Sequence, residues 1–408
     1  MVRILVIGSG AREHAIIKAL IRTGTNASEI VCAPGNSLIA EAVEVRALAD
    51  LTDSLEVVRI ALEERVGLVV IGPEAPLVAG VADALRSQGI AVFGPGKEAA
   101  QLEGSKNFAK EVMAAANIPT GQAHRCNTME QVEAAMDEFG SPWVIKADGL
   151  AAGKGVIVTS DRQAAIDHAA HFIDESVLVE EFLDGQEVSL FFLSDGTHVM
   201  PLSPAQDYKR AFDNDEGPNT GGMGAYSPIP WLAEGFVEEV ENKIAQPTVD
   251  EMRRRGIEFV GLLYCGLIVT AKGVKVIEFN ARFGDPETQV VLKRLQSNLA
   301  ALLHAAATGK LKEVESAKFS DECAVTVVLA SEGYPSKTAE VREVHGIKNA
   351  EQIPGIEICK AGNVGRVLSV VAAAESFAKA RELCYQALEE VQLQGGHFRR
   401  DIAAKVAK

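Results

Sequence analysis

The chain predicts an α/β protein in three parts. A parallel, doubly wound N-terminal sheet comes first. A larger segment carrying a small α+β module follows, and a mixed α+β domain ends the chain. Three observations predict this. Strands and helices alternate over the first hundred residues. A glycine-rich turn then joins two short strands near residue 150. After residue 186 the pattern changes to strand pairs around a long polar loop. The 408 residues suffice for about two to four domains with a sizeable core.

Residues 1 to 103 form the first part. "RILVIG" reads as a strand and "REHAIIKALIRT" as a helix. "EIVCAPG", "VGLVVIGPE" and "GIAVFGP" are further β-rich runs ending in Gly or Pro, with helical patterns such as "LVAGVADALRSQ" between them. Such a βαβ series gives a Rossmann-like parallel sheet. Residues 104 to 315 form the second part. "GSKNFAKEVMAAANIP" is a helix ended by Pro119. Residues 120 to 185 hold the strands "PWVIKADG" and "KGVIVTS", the helix "DRQAAIDHAAHFI" and the start of the strand pair "SVLVEEFLDGQEVSLFFLSDG". The helices "FVEEVENKIAQPTVDEMRRRG" and "PETQVVLKRLQSNLAALLHAAATG" lie further on, and residues 316 to 408 form the C-terminal domain.

Hydrophobic residues make up 47% and charged residues 24%, ordinary values for a globular protein. A net charge of −16 argues against nucleic-acid and membrane-surface binding. No apolar run is long enough to span a bilayer. The six cysteines form no CxxC pair and read as reduced, packed residues. "MVRILVIGSG" carries no leader pattern, so a cytoplasmic protein is expected.

"VKVIEFNARFGDPET" (274–288) opens as an apolar strand and ends in charge. Strand alternation puts Glu278, Asn280 and Arg282 on one side. A charge there must be neutralised. One reading is an ion pair between Glu278 and Arg282. The other is a hard cation such as magnesium, taken by a carboxylate and an amide oxygen and completed by water and phosphate.

Three glycine loops accompany this strand. "IGSGAREH" (7–14) joins a strand to a helix, where backbone N–H groups meet anions. Glu13 stands where a dinucleotide fingerprint needs its third glycine, and no acidic residue ends the next strand, so a phosphate-bearing small molecule fits better than NAD. "KADGLAAGKGVIV" (146–158) is not a Walker A loop, because its spacing is wrong and a strand follows it. It reads as a glycine-rich hairpin whose N–H groups cradle phosphates, with Lys146 as a point charge on the incoming strand. "DYKRAFDNDEGPNTGGMGAYSP" (207–228) is a long polar loop, either functional or disordered. "LVEEFLDGQEVSL" alone reads as an ordinary hairpin with solvated glutamates.

Together, a lysine before a glycine-rich hairpin, then "VEEFLDGQE", then a strand carrying Glu-x-Asn resemble the ATP-grasp family. "KRAFDNDEGPNTGGMGAYSP" and "EFNARFGDPE" resemble its branch that joins glycine to 5-phosphoribosylamine. So do "GSGAREHA", "APGN", "GPEAPLVAG", "GRVLSV" and "FRRDIA", so the resemblance spans the chain. It implies an ATP-grasp fold whose lid is the module 120 to 185. It also implies ATP-dependent ligation in purine synthesis through a glycyl phosphate, with ATP and Mg2+ or Mn2+ as cofactors and glycine and 5-phosphoribosylamine as small-molecule substrates. A monomer or small homo-oligomer is expected. The alternatives are another ATP-grasp ligase, such as a carboxylase, or a nucleotide-binding sensor.

The resemblance also implies residue roles. ATP would be held by Lys106, Lys146, Gly149, Gly153, Lys154, Gly155 and Glu180. Glu181 and Phe182 would reach adenine through backbone atoms, and Glu187 the ribose. Glu278 and Asn280 would hold the metal. The preceding strand "YCGLIVT" has no metal carboxylate, so phosphates and water complete the shell. Gly8, Gly10, Arg12, Glu13 and Asn36 would hold the phosphoribosylamine. Asp207, Lys209, Thr220, Gly221, Gly222, Arg282, Asp285 and Arg366 would surround the substrates, with Lys146, Arg282 and Asp285 as the catalytic set. The C-terminal part departs from the family pattern: "CKAGNVGRVL" (359–368) merges two separated motifs, and Lys360 replaces a histidine.

Overall fold

A computed structural model of the chain describes residues 2–149, 155–337 and 340–407. Its first sheet is built from five short apolar strands: β1 (Ile4–Gly8), β2 (Ile30–Pro34), β3 (Glu44–Val45), β4 (Leu68–Ile71) and β5 (Ala91–Phe93). All pair in parallel, in the order β3-β2-β1-β4-β5, with Ile4 beside both Ile30 and Leu68. Helices cover both faces, so β1 is buried from end to end, as an all-parallel sheet requires. The pattern "LVAGVADALRSQ", expected as one helix, is two, Glu74–Ala79 and Val81–Ser87. Gly80 between them is left-handed, at φ 94°.

The lid module is a four-stranded antiparallel sheet of β6 (Ala123–Cys126), β7 (Trp143–Ala147), β8 (Val156–Thr159) and β9 (Val177–Glu180), in the order β6-β9-β7-β8. It has its own small core, in which Val132 and Met136 of one helix and Ala165 and Ala169 of another pack on Ile145 and Val179. β9 was expected to form a hairpin with the following strand, β10 (Gln186–Asp195), but the two enter different sheets. Residues 181–185 between them are a crossing from lid to main body. Gly185 lies against β16 (Val260–Thr270), where a Cβ would meet the Val269 carbonyl at 2.3 Å.

The central sheet runs β11 (Val199–Pro201), β10, β16, β17 (Gly273–Asn280), all antiparallel. The polar loop 207–228 is ordered. Its ends are β12 (Gln206–Asp207) and β15 (Gly224–Ser227), which join a third sheet. Between them β13 (Arg210–Phe212) and β14 (Glu216–Asn219) form a two-stranded ribbon. The third sheet is completed by β18 (Cys323–Ala330), β19 (Ile356–Lys360) and β20 (Arg366–Ala374), in the order β12-β15-β18-β20-β19. The C-terminal residues therefore share their sheet with the polar loop.

Residues 286–309, expected as one helix, are two, Glu287–Arg294 and Leu299–Ala307. Leu295 is extended, and the Asn298 side chain caps the second helix by accepting from Ala301 N–H at 2.8 Å. The second helix packs between the N-terminal and central sheets, and the first between the helix Ala11–Arg22 and the third sheet, in a core that includes Ile4, Val70, Phe191 and Tyr264. In the helical run from Phe236 to Arg254, a π-turn (Glu241–Ala245) precedes Pro247, which has no N–H to donate. Among the described residues no helix is long and apolar enough to cross a membrane.

Candidate active site

The end of β17 organises the site. Val274 and Val276 are buried, as strand alternation predicts. A bulge then inserts Ile277 opposite the Gly266–Leu267 step, and Phe279 becomes the buried residue. Glu278 and Asn280 are thereby presented together, half-buried, on the open face. Gly266 sits directly across from Glu278. A Cβ there would stand 3.0 Å from Glu278 Cγ, so the absent side chain makes room for the carboxylate.

Arg282 forms no ion pair with Glu278. It turns instead to the N-terminal side, 2.9 Å from Glu103 and 3.4 Å from Glu74. Burial alone would lower its pKa, but those two carboxylates raise it above the usual guanidinium value. The ion-pair reading of this strand is therefore corrected. The side chains of Glu278 and Asn280 have no hydrogen-bond or ion-pair partner among the described residues. Burial pushes the Glu278 carboxyl up, yet Lys209, Lys146, Lys106 and Arg282 outweigh it and hold it below the ordinary carboxylate range. One carboxylate and one amide, both free and ringed by cations, match the donors a hard divalent ion takes alongside phosphate oxygens. No cluster of three or more His, Cys, Asp or Glu suited to a metal occurs among the described residues.

Lys146 is 3% exposed, one residue before the end of β7. Its Nζ donates to the carbonyl of the bulge residue Ile277 at 3.0 Å and pairs with Glu180 at 2.8 Å. Glu180 also meets Lys110 at 3.4 Å. A buried lysine needs such partners, and these fix its ammonium beside the Glu278 face. Lys106 opens the helix Lys106–Ala115. Its Nζ donates to Gly149 O at 3.1 Å, and burial, then Lys146, lower its pKa despite Glu278. Asp148 accepts from Lys106 N–H at 2.7 Å and from Ser105 Oγ at 3.2 Å, pinning the root of the hairpin to that helix. Gly155 O accepts from Ala147 N–H at 2.7 Å on the other arm. Gly153 and Lys154 lie outside the described residues.

Glu181 N–H donates to Gln122 O at 3.0 Å, so only its carbonyl remains for a ligand, while its carboxylate takes Lys275 at 2.7 Å. Phe182 is 44% exposed beside it. Glu187, exposed at the start of β10, lies 3.5 Å from Lys209. Lys209 is held by both Asp207 oxygens at 2.9 Å. Burial opposes its charge, but Asp207, Tyr264, Glu187 and Glu287 raise its pKa well above normal.

The second half of the expected set gathers around Arg366 in β20. Its guanidinium donates to Gly221 O at 2.6 Å and reaches Asp285 Oδ2 at 3.1 Å. Thr220 Oγ donates to Lys209 O at 2.8 Å and accepts from Gly222 N–H at 2.9 Å, closing the turn. Asp285 also accepts from Gln289 at 2.7 Å. Burial raises its pKa, and Arg366, then Arg12, bring it below the usual range.

The N-terminal loop differs. Gly8 and Gly10 line it, but Glu13 is 2% exposed. Its carboxylate accepts from Gly10 N–H at 2.7 Å and from Arg12 Nε at 2.6 Å. A Cβ on Gly72 would lie 2.0 Å from it, and one on Gly8 2.6 Å. Arg12 also donates to Phe283 O at 3.2 Å. Asn36 donates to Ser9 O and Lys360 O and accepts from Leu38 and Ile39 N–H. Glu13 and Asn36, expected to contact substrate, thus spend their polar atoms shaping the loop. Lys360 N–H donates to His14 Nδ1 at 3.1 Å, and its Nζ reaches Ser37. Asp148 was read only as the start of the glycine-rich hairpin, and Glu74, Glu103 and Lys110 escaped the sequence reading. Glu74 lies inside the quoted "GPEAPLVAG", but nothing local marks Lys110 or Glu103.

Three family models match the chain in succession: the phosphoribosylglycinamide synthetase N domain over residues 2–103, its ATP-grasp (A) domain over 104–288 and its C domain over 324–405. A phosphoribosylamine–glycine ligase of Leifsonia xyli subsp. xyli is 57% identical over 416 residues, covering 99% of this chain and all of the relative. That of Streptomyces coelicolor is 53% identical, covering 99% of each. The crystal structure of phosphoribosylamine–glycine ligase from Thermotoga maritima superposes with a TM-score of 0.84 at 30% identity, over 98% of this chain and all of that one.

Proposed function

The chain belongs to the phosphoribosylglycinamide synthetase family, and from that premise we propose how its residues divide the work. The enzyme is an ATP-dependent carbon–nitrogen ligase of purine synthesis, joining glycine to 5-phosphoribosylamine to give glycinamide ribonucleotide, ADP and phosphate. Like its family, it uses ATP with a divalent metal. The observation that carries the residue assignment is the pair of free oxygen donors at Glu278 and Asn280 amid four cations.

Glycine's carboxylate is a poor electrophile. Its oxygen takes the γ-phosphoryl group of ATP, the bond to the β-phosphate oxygen breaks, and ADP leaves. The amine of 5-phosphoribosylamine then attacks the carbonyl carbon of the glycyl phosphate. The carbon–oxygen bond breaks, inorganic phosphate departs, and the amine proton passes to solvent. Such chemistry asks the protein for placement and charge compensation rather than a nucleophile. Lys146 and Lys106 face the phosphates, with Lys146 aimed by Glu180 and the Ile277 carbonyl. Gly149, Gly153, Lys154 and Gly155 are assigned to the same phosphates. The Glu181 carbonyl, Phe182 and Glu187 take the nucleoside. Mg2+ or Mn2+ on Glu278 and Asn280 supplies charge neutralisation to the phosphates when bound. Lys209, Asp207, the 220–222 turn, Asp285 and Arg366 take the acceptor side, Arg282 fixes the strand end beside them, and Gly8, Gly10 and Arg12 take the sugar phosphate. The expected setting is the cytoplasm.

The test is ADP and phosphate release with ATP, magnesium, glycine and freshly generated 5-phosphoribosylamine, omitting each in turn. Release that needs both substrates, with ADP as the nucleotide product, meets the expectation. AMP as product, or release indifferent to glycine, would refute it.

A further inference from the structure

Among the described residues Arg399 is the largest fully buried side chain, 1% exposed, yet it belongs to none of the sites assigned above. Buried arginines need partners, and those of Arg399 converge on the polar loop. Its guanidinium donates to Arg210 O at 3.1 Å and Asp215 Oδ1 at 2.9 Å, and lies 4.9 Å from the centre of the Tyr208 ring. Asp401 takes two further bonds, at 2.8 and 2.6 Å, and itself accepts from Asn214 N–H at 2.9 Å. Arg400 N–H donates to Asp213 at 2.7 Å, and Ala403 N–H to the Tyr208 hydroxyl at 2.9 Å. Asn214 and Asp215 both have positive φ, a tight turn that non-glycine residues keep only when held. The ribbon so held begins after Lys209 and ends before Thr220, and those two residues are bonded to each other.

We infer that Arg399 is a positioning residue for the ligation: the segment Arg399–Asp401 clamps the 210–219 ribbon and so sets Lys209 and the 220–222 turn against Arg366. This rests on the acceptor-side assignment of those residues. Lys106, Lys146 and Glu180 make their bonds elsewhere, and of the nucleoside-side residues Glu187 approaches Lys209, at 3.5 Å, so the acceptor side should respond more strongly than ATP.

The experiment measures steady-state kinetics and melting temperature for Arg399→Lys, Asp215→Asn and Lys209→Ala in the full chain. Asp215 is half-exposed, so its variant tests the clamp without opening a core. The clamp predicts that Arg399→Lys and Asp215→Asn raise KM for glycine or 5-phosphoribosylamine about tenfold, with a smaller rise, about threefold or less, in KM for ATP. Lowered melting temperature with all three KM values unchanged would make Arg399 structural only and overturn the inference. Lys209→Ala leaving both acceptor-side KM values unchanged would refute the underlying assignment instead.

Discussion

Glu13 and Glu278 are both carboxylates beside an apolar strand, and both are withdrawn from bulk water, yet the chain treats them in opposite ways. Glu13 is fenced by Gly8, Gly10 and Gly72 and satisfied by Gly10 N–H and Arg12. Glu278 has room made for it by Gly266 and receives cations at a distance but no bond. A carboxylate whose acceptors are already taken shapes a loop. One left open in a positive field is kept for something that arrives later. Burial alone does not separate the two; the destination of each oxygen does.

The widest separation comes from removing one charge at each place. Glu278→Gln loses about 10³-fold or more in kcat/KM, about 4 kcal/mol of transition-state stabilisation. Its melting temperature stays within about 3 °C of the parent, because no protein bond is lost. Turnover within tenfold of the parent would move the metal away from β17. Glu13→Gln does the reverse. It leaves Arg12 without its buried partner and costs about 3 kcal/mol of stability, read from urea unfolding. A stability loss below about 1 kcal/mol would return Glu13 to the substrate-contacting set.

The same contrast decides what could be read from the sequence. Glu278, Asn280 and Lys146 stood out because charge in an apolar strand contradicts its surroundings, and the structure brings these three together. Glu13 broke a glycine fingerprint, a signal that marks an unusual residue without saying what it bonds. The partners of Arg282 are Glu74 and Glu103, about two hundred residues away in sequence, and no local pattern could assign them. Elements followed the same rule. The N-terminal strands end where Gly and Pro stop them. The break at Leu295–Asn298 lay hidden inside a helical pattern, because an asparagine cap resembles any other polar residue there. The ribbon at 210–219 was invisible because its stability comes from Arg399 rather than from its own sequence.

His14 extends the contrast to pH. Burial, then Lys18, lowers its pKa to about 3, and its Nδ1 accepts from Lys360 N–H. The folded chain therefore binds the His14 proton less readily than the unfolded chain does. The linked stability is complete above the unfolded pKa, near 6.5, and is lost as pH falls toward the folded value. Between pH 7 and pH 5 this costs about 2 kcal/mol. His14→Gln keeps an acceptor and should flatten that slope in urea unfolding at each pH. An unchanged slope would show that His14 is not what titrates there.

The finest test adds a single methyl group. Gly266→Ala puts a Cβ 3.0 Å from Glu278 Cγ, closer than such contacts ordinarily lie, with the β17 bulge beside it. The strand itself tolerates alanine, so stability should change by less than about 1 kcal/mol. The carboxylate must shift by a few tenths of an ångström, and an active site that works through placement responds to that. A loss of about tenfold in kcat/KM, near 1.4 kcal/mol, is expected. Higher metal concentration should recover part of it if the shifted oxygen binds the ion more weakly. An alanine variant with full activity at low metal would mean that Glu278 does not depend on the space opposite it. Its freedom from protein partners would then be its only distinction from Glu13.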